Sequence, residues 1–358
     1  MHTNDSASNP NVRRSLYYAN IIFLCSLTVI SLTFAMFVFF RPWVGKKSER
    51  KRLYSEGQIE EIKETSALKE REEIFSQMQS LLGSGDGATL ALRKFFQDRI
   101  VAVLDGKFYF FPVSDRVDKN PFSPDAFSKK EDEIVYTAET PAVFITKGVY
   151  ISDDNGRIDW DRLADSGLRD VMISAGSVTS ERFVPDEQAD RNCRKAVQKG
   201  FRAGLSVEME EPASEEVLTE AAACAAELYL KHGSMTGTGS QEADIDTDIA
   251  GPEVLIRVKD REGGVPDESE KAQWTDTVSL LCEKIKVNVG EPVIGMSFYS
   301  CGARLDMERV SGYRRWIIDY EKSPVFPYSF LFWEYEGGAH VHGVPGVCPL
   351  YVKVETGR

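Results

Sequence analysis

Two acidic residues, separated by one residue, directly follow an apolar run. Asp260 and Glu262 lie just beyond residues 254–259, a run rich in β-branched residues that is typical of a strand. Residues two apart on an extended chain share a face, so both carboxyls can approach one ligand. In glycosidic bond cleavage one carboxyl donates a proton and an ionised partner stabilises the cationic centre. If the chain is an enzyme, Asp260 and Glu262 are its candidate acids, with Asp153 as a further carboxylate.

The run itself ends in cations rather than acids. Arg257 and Lys259 alternate along it and therefore share one face. Two cations donate no proton usefully at neutral pH, and they oppose positive charge that develops on a sugar. They are suited to holding a carboxylate or a phosphate of a ligand, and equally to pairing with acids of neighbouring strands.

The C-terminal part opens with an alternating strand, a polar turn and a helix start. The chain reads Gly-Val-Tyr-Ile-Ser over 148–152 and Gly-Arg-Ile-Asp-Trp over 156–160. This frame resembles the opening of family-25 glycoside hydrolases, the lysozyme-type muramidases, which write Gly-Ile-Asp-Val-Ser in the strand. Tyr150 stands where the family has its first active-site aspartate.

Further segments resemble the same family between about residues 147 and 354. In chain order they are Asn192 with Gly200 and Gly204, Gly-Glu-Pro-Val-Ile over 290–294, Trp-Ile-Ile-Asp-Tyr over 316–320, Trp-Glu-Tyr over 333–335, and Gly-Val-Pro-Gly-Val over 343–347.

The resemblance implies that the acids of the family site have been replaced. Arg257 and Lys259 align with the family's Asp-x-Glu pair at the end of the fourth strand, or Ile256 and Val258 do after a one-residue shift, so neither register has an acid there. Cys348 aligns with the family's terminal aspartate. The resemblance therefore implies a degenerate ligand site that is lined by Tyr150, Arg257, Lys259, Trp333 and Tyr335.

Strand and helix signals alternate from residue 143 onward. This alternation predicts an α/β fold, a TIM-like parallel (β/α) barrel over 143–358, as the resemblance also implies. The predicted strands are 148–152, 171–174, 203–207, 254–259, 292–298, 315–320 and 329–335, and the predicted helices are 160–166, 190–199, 215–232 and 274–287. The polar residues 234–251 are expected to form an active-face loop or an insertion.

An uncharged apolar run near the N-terminus is long enough to cross a bilayer. It covers 21–40 after a polar tail of residues 1–20, and Arg41-Pro42-Trp43 follows. We expect a retained single-span anchor rather than a cleaved signal peptide, because the run is long and lacks a small-x-small cleavage site. The basic residues after the run favour a cytoplasmic C-terminal domain, whereas resemblance to wall-lytic enzymes places that domain outside the cell, which is our expectation.

Residues 41–87 are expected to form a helical stalk that ends in a Gly-rich joint. The apolar pattern has no continuous a/d seam, so both a solvated spacer and a coiled-coil dimer are consistent with it. Residues 88–142 predict a small β-rich module, with a hairpin around Asp105-Gly106. Its aromatic residues can pack against the rest of the chain or stack on carbohydrate.

Composition restricts the classes of partner. The formal net charge is -13, which argues against general nucleic-acid binding. No CxxC pair occurs, and His340-x-His342 has no evident third ligand, so we expect neither a metal nor another cofactor. Six cysteines are too few for a disulfide scaffold.

We therefore expect a membrane-anchored, muramidase-like cell-wall protein that binds peptidoglycan or another wall glycan without cleaving it. A protein partner can dock through the stalk or the barrel. The alternative is an active N-acetylmuramidase that uses Asp260 and Glu262.

Overall fold

The computed structural model describes residues 10–44, 56–83, 87–130, 133–139, 143–232, 254–260 and 264–356. The chain divides into two compact units, residues 1–74 and 75–358. The segment 234–251 lies outside the described residues.

The N-terminal helix α1 (Pro10–Val44) contains the apolar run. Its stretch Tyr17–Met36 is long and apolar enough to cross a membrane, by length and composition. The helix begins within the segment expected as a polar tail, so the tail and the span are not separate elements.

A second helix, α2 (Glu56–Gly83), lies within residues 41–87, the segment expected to form a stalk. Its 28 residues make it about 42 Å long at 1.5 Å per residue. Leu68, Ile74 and Phe75 are exposed on it. The predicted helix therefore exists, while a dimeric coiled coil stays a prediction.

A helix and two hairpins precede the barrel and belong to the same compact unit as it. They are α3 (Ala88–Phe95), the antiparallel pair β1 (Arg99–Leu104) and β2 (Lys107–Pro112), and the antiparallel pair β3 (Phe127–Lys130) and β4 (Glu133–Tyr136). Asp105 and Gly106 both have positive φ, as a two-residue hairpin turn requires, so the Asp-Gly prediction is confirmed.

This region packs directly on the barrel instead of standing apart. The ring of Phe111 fills the space beside Gly302, where a Cβ would lie 2.1 Å from it. Phe122 makes an edge-to-face contact with Phe330 at 5.4 Å between ring centroids, and Phe127 does so with Trp333 at 5.7 Å. Several of the aromatic residues in this segment therefore serve as packing.

Eight strands close into a barrel. They are β5 (Val143–Ile151), β6 (Asp170–Val178), β8 (Arg202–Met209), β9 (Val254–Val258), β10 (Pro292–Ser297), β11 (Arg314–Ile318), β12 (Phe332–Ala339) and β13 (Cys348–Thr356), with β7 (Phe183–Pro185) added beside β6. Closure results from β5, which pairs with β6 on one side and β13 on the other.

The barrel is not the fully parallel one that the alternation predicted. Pairs from β5 to β12 around the barrel are parallel, but β13 runs antiparallel to both β12 and β5. The helices between the strands are α4 (Trp160–Ala164), α5 (Ala189–Gln198), α6 (Glu215–His232) and α7 (Glu268–Asn288). Strands and helices therefore alternate through the first half of the barrel, and irregular segments join the strands of the second half. Because β13 returns by a hairpin from β12, it needs no crossover helix.

Alternate side chains of the strands form two separate cores. The outward set packs under the helices, whereas an inner cluster fills the barrel. The inner cluster contains Tyr150, Met172, Leu255, Val293, Trp316, Phe332 and Tyr351. Gly148 allows Tyr351 to cross the interior, since a Cβ there would lie 2.2 Å from the Tyr351 ring. This layer is the floor beneath the strand ends.

Candidate functional site

A pocket opens above this floor at the carboxyl ends of the first four barrel strands. Its volume is about 480 Å³. Tyr150 and Ser152 border it from β5, Ser174 from β6, Glu208 from β8 and Arg257 from β9. Side chains from separate strands meet here because parallel strands end at one edge, which is where β/α barrels place their chemistry.

Arg257 is fixed from below by a fully buried carboxylate. Its Nη1 and Nη2 atoms donate to Glu334 Oε2 and Oε1 at 2.9 and 3.0 Å. The same carboxylate accepts hydrogen bonds from Trp316 Nε1 at 3.2 Å and Tyr320 Oη at 2.7 Å. Burial is the largest influence and disfavours the guanidinium charge, but Glu334 together with Tyr150, Tyr320 and Glu208 outweighs burial and raises the pKa of Arg257. Arg257 is therefore a structural cation with a dedicated counter-ion.

Tyr150 lies beside this pair, in the inner layer. The Arg257 guanidinium lies 5.1 Å from the centre of its ring, and its hydroxyl accepts a hydrogen bond from Ser206 Oγ at 2.9 Å. Burial raises the pKa of Tyr150 to about 12. The phenol is thus neutral at physiological pH and does not replace an ionised aspartate.

Lys259 is shared between two acids at the pocket rim. Its Nζ lies 3.4 Å from Glu208 Oε2 and 3.4 Å from Glu210 Oε1. Glu208 also faces Arg257 Nε at 3.7 Å. Half of the Lys259 side chain is exposed to solvent, against 14% for Arg257. Both cations of the strand therefore pair with acids of neighbouring strands, as the second interpretation of their spacing expected.

The opposite wall carries further acids. Asp153 and Asp154 follow β5, and Asp186 follows β7. Asp186 accepts hydrogen bonds from the backbone N–H groups of Asp153 at 2.9 Å and Gln188 at 2.7 Å. Burial raises the pKa of Asp186 despite these bonds, and the nearby Asp153 charge adds to the effect.

Counted over the described residues, the pocket is acidic. Five carboxylates line it, and two cations do. The acids are Asp153, Asp154, Asp186, Glu208 and Glu210. The resemblance implied that the acids of the fourth barrel strand are replaced. In the folded chain other acids line the pocket, from β8 and from the turns after β5 and β7.

Two residues expected in the site point away from it. Trp333 and Tyr335 alternate with Glu334 on β12, so they face the outer core while Glu334 faces the barrel interior. Trp333 donates from Nε1 to the Asp319 carbonyl at 2.7 Å and packs on Phe127. The expectation that Trp333 and Tyr335 line the ligand site is therefore wrong.

Cys348 does not face the pocket either. It is buried in the outer core, and its Sγ lies 3.7 Å from the Ala339 carbonyl oxygen, while its neighbours Val347 and Pro349 line the pocket. The alignment of Cys348 with a terminal active-site aspartate therefore places its side chain on the wrong face.

The acids proposed for an active enzyme are not brought together in this pocket. Asp260 turns toward β10 and lies near Ser297, Ser300 and Arg304, where burial raises its pKa. Glu262 lies outside the described residues. Asp153 does line the pocket, next to Asp186 rather than to Asp260.

The imidazoles of His340 and His342 follow β12 in a turn and border a separate cavity beside Tyr335. His340 Nδ1 lies 3.1 Å from the Gly346 carbonyl oxygen. Within the described ranges, no three His, Cys, Asp or Glu side chains form a group that is able to hold a metal ion.

Sequence reasoning missed Glu208, Glu210 and Glu334. A signal for the first two exists, because Ser206, Glu208 and Glu210 alternate from the predicted third strand and therefore face one side. Glu334 was hidden within an aromatic segment whose partners are distant in the sequence.

Comparison with solved structures gives similar chains at low identity. The autolysin LytC from Streptococcus pneumoniae, in complex with a synthetic peptidoglycan ligand, has 18% identity and a TM-score of 0.46; the match covers 70% of this chain and 51% of the autolysin. This chain therefore spans about half of that protein.

Two shorter proteins are also similar. A bacterial lysozyme from Streptomyces coelicolor has 17% identity and a TM-score of 0.42, over 57% of this chain and 90% of the lysozyme. A family-25 glycosyl hydrolase from Bacillus anthracis has 16% identity and a TM-score of 0.41, over 58% and 88%. No family model and no curated protein sequence matches this chain. A proposal about the function of this chain therefore rests on the residues of its own pocket.

Proposed function

We propose that this protein is a membrane-anchored, muramidase-like barrel that binds cell-wall glycan and does not cleave it. The observation that carries the proposal is the pairing of Arg257 and Lys259 with carboxylates. They stand where the resemblance expects the acid pair, and both are engaged by carboxylates of other strands.

This arrangement opposes glycosidic cleavage in two ways. Neither Arg257 nor Lys259 can serve as the proton-donating carboxyl or as the ionised carboxylate that stabilises the cationic sugar, because both side chains are cations. Lys259 also lies against Glu208 and Glu210, the two acids closest to that strand end. A pocket at the carboxyl ends of the barrel strands that presents cations where the resemblance expects the acid pair is suited to binding rather than to cleavage.

The membrane anchor is the second part of the proposal. Helix α1 supplies a 20-residue apolar stretch, Tyr17–Met36, and α2 supplies a solvated spacer between it and the barrel. A C-terminal domain outside the cell would meet wall glycan, and we propose that orientation although the basic residues 46–52 favour the reverse. In this position the protein would serve as a scaffold or regulator of wall synthesis or lysis.

The proposal is tested with the purified full chain in detergent and insoluble peptidoglycan. We expect the protein to sediment with the wall material and to release no soluble glycan fragments. Ser177→Trp, which fills the pocket, should abolish sedimentation, whereas Ser269→Trp on the exposed start of α7 should not.

The rival function is an active N-acetylmuramidase. Clearing of peptidoglycan in a zymogram, lost in Glu262→Gln or Asp260→Asn, would establish it and exclude a purely binding role. Equal sedimentation of the Ser177→Trp and unsubstituted chains would instead remove the pocket from the binding surface.

A further inference from the structure

We infer that the pocket selects glycan that carries free, protonated amino groups rather than carboxylate or phosphate groups. The inference rests on the proposed function, because it names the ligand class of the same site. It also reverses the expectation that Arg257 and Lys259 hold an anion.

The first step is that Arg257 contributes no net positive charge to the pocket. Its guanidinium makes a two-pronged contact with Glu334, which is fully buried and holds Arg257 in the barrel floor. An ion pair of this geometry is neutral as a unit. Binding an anion through Arg257 would require breaking that contact and leaving Glu334 buried without its counter-ion, which is costly.

The second step concerns Lys259, which is the remaining cation of the lining. Its ammonium lies equally far from Glu208 and Glu210, at 3.4 Å from each. One positive charge therefore faces two negative charges. An incoming anion would meet both carboxylates as it approached Lys259, so it would be repelled at short range.

The third step is the wall opposite Lys259. Asp153, Asp154 and Asp186 border the pocket there. Asp186 is buried, and it accepts hydrogen bonds from the backbone N–H groups of Asp153 and Gln188 and from the Ser174 side chain, so its donors at these contacts are neutral. An ammonium group that entered between this wall and β8 would donate hydrogen bonds to carboxylates and replace water at the same time.

A sugar amine fits these features better than the other groups that wall glycan offers. Sugar hydroxyls and acetamido groups are neutral and gain little from a field of this sign. A lactyl carboxylate or a phosphate is disfavoured by it. A glucosamine ring without its acetyl group presents one ammonium on a small polar body, and the cavity of about 480 Å³ is large enough for such a ring.

The test uses the full chain in detergent at pH 6 and low salt, with two tetrasaccharide probes. One is a β-1,4-linked glucosamine tetramer, and the other is the same tetramer with every amine acetylated. We expect the amino tetramer to bind at least tenfold more tightly by calorimetry, and its advantage to shrink at 0.5 M NaCl because salt screens the interaction.

Charge variants test whether the pocket residues cause the preference for the amino tetramer. Asp154→Asn and Glu210→Gln should each reduce the affinity for the amino tetramer severalfold, and Lys259→Gln should increase it. Glu216→Gln, an exposed carboxylate at the start of α6, is the matched control and should change neither affinity.

The outcomes separate this inference from the function on which it rests. Equal or tighter binding of the acetylated tetramer overturns the amine preference and leaves glycan binding intact. If intact peptidoglycan binds and neither tetramer does, the amine preference also falls. If peptidoglycan does not bind either, the proposed function itself falls. A lysine-containing stem peptide is the third probe, and its binding without that of the amino tetramer would assign the amine to peptide and overturn the sugar assignment.

Discussion

The residue with the greatest energetic consequence at the site is Glu334. It is fully buried, and it accepts hydrogen bonds from Arg257, Trp316 and Tyr320. Glu334→Gln keeps the shape but leaves the Arg257 charge buried without a counter-ion. Breaking a buried pair in this way costs about 3–5 kcal/mol. Urea unfolding of the two chains measures this loss in the free energy of unfolding.

A double variant separates charge from packing at the same position. Arg257→Met combined with Glu334→Gln removes the cation together with the anion, so the double variant should be more stable than Glu334→Gln alone. A double variant that is as unstable as the two single changes added together would mean that Arg257 does not depend on Glu334.

Tyr150 gives the site a pH signature at the alkaline end. Burial raises its pKa from 10.0 to about 12. Because the folded state favours the neutral phenol, the stability that this group contributes is complete below pH 10.0 and is lost as the pH rises through about 12.

At pH 11 the phenolate absorbance of the folded protein and of folded Tyr150→Phe should therefore be equal, while the urea-unfolded chains should differ by one phenolate. A full phenolate of difference between the folded chains at pH 11 would mean that the ring is solvated.

Successive side chains of a strand face alternately the barrel interior and the outer core, and this alternation decided how much of the site was predictable. The resemblance assigned Tyr150, Arg257 and Lys259 to one site, and all three border one pocket at the strand ends. Trp333 and Tyr335 were assigned to the site through a motif, yet they face the outer core. The counter-ion between them, Glu334, pairs with a residue 77 positions away, and local patterns carry no information about such a pairing.

Among the elements, α3 is held to the barrel by a buried ion pair. Arg93 donates to Asp319 Oδ1 at 2.8 Å and to the Val101 carbonyl at 3.0 Å, and its guanidinium lies over the Phe298 ring. Arg93→Ala should lower the free energy of unfolding by about 3–5 kcal/mol, because it leaves Asp319 buried without its cation.

The next residue provides a matched control. Lys94 pairs with Asp125, which is 75% exposed, and Lys94→Ala should therefore cost only about 0.2–1 kcal/mol. Thermal unfolding of the two variants distinguishes them. Equal losses would show that the α3 contact is peripheral to the fold.

Strands that follow a regular pattern were predictable, and the closing strand was not. The barrel strands from β5 to β12 carry apolar runs, and helices separate them through the first half of the barrel, so their order was predicted correctly. Strand β13 begins with Cys348-Pro349 and continues with apolar residues that alternate with Lys353 and Glu355 toward its end, and it was not among the predicted strands. Strand β13 closes the barrel by pairing with β12 and β5. These pairings join distant segments and are visible only in the folded chain.

For the whole molecule, the proposed membrane anchor would govern where the pocket can act. A retained span predicts that the full chain stays in the membrane pellet after alkaline carbonate extraction. Val29→Arg together with Ile30→Arg should release it, because each arginine at a helix centre opposes insertion by about 2.5–3.5 kcal/mol. The matched control is Ser66→Arg with Ala67→Arg on α2, a helix outside the apolar stretch, and it should stay in the pellet. Carbonate release of the unsubstituted chain, or a mature N-terminus beyond residue 40, would exclude the anchor and indicate a cleaved signal sequence.

With the span retained, protease added outside intact cells should remove the barrel if it faces the wall. Protection from the protease would place the acidic pocket in the cytoplasm, away from any wall glycan.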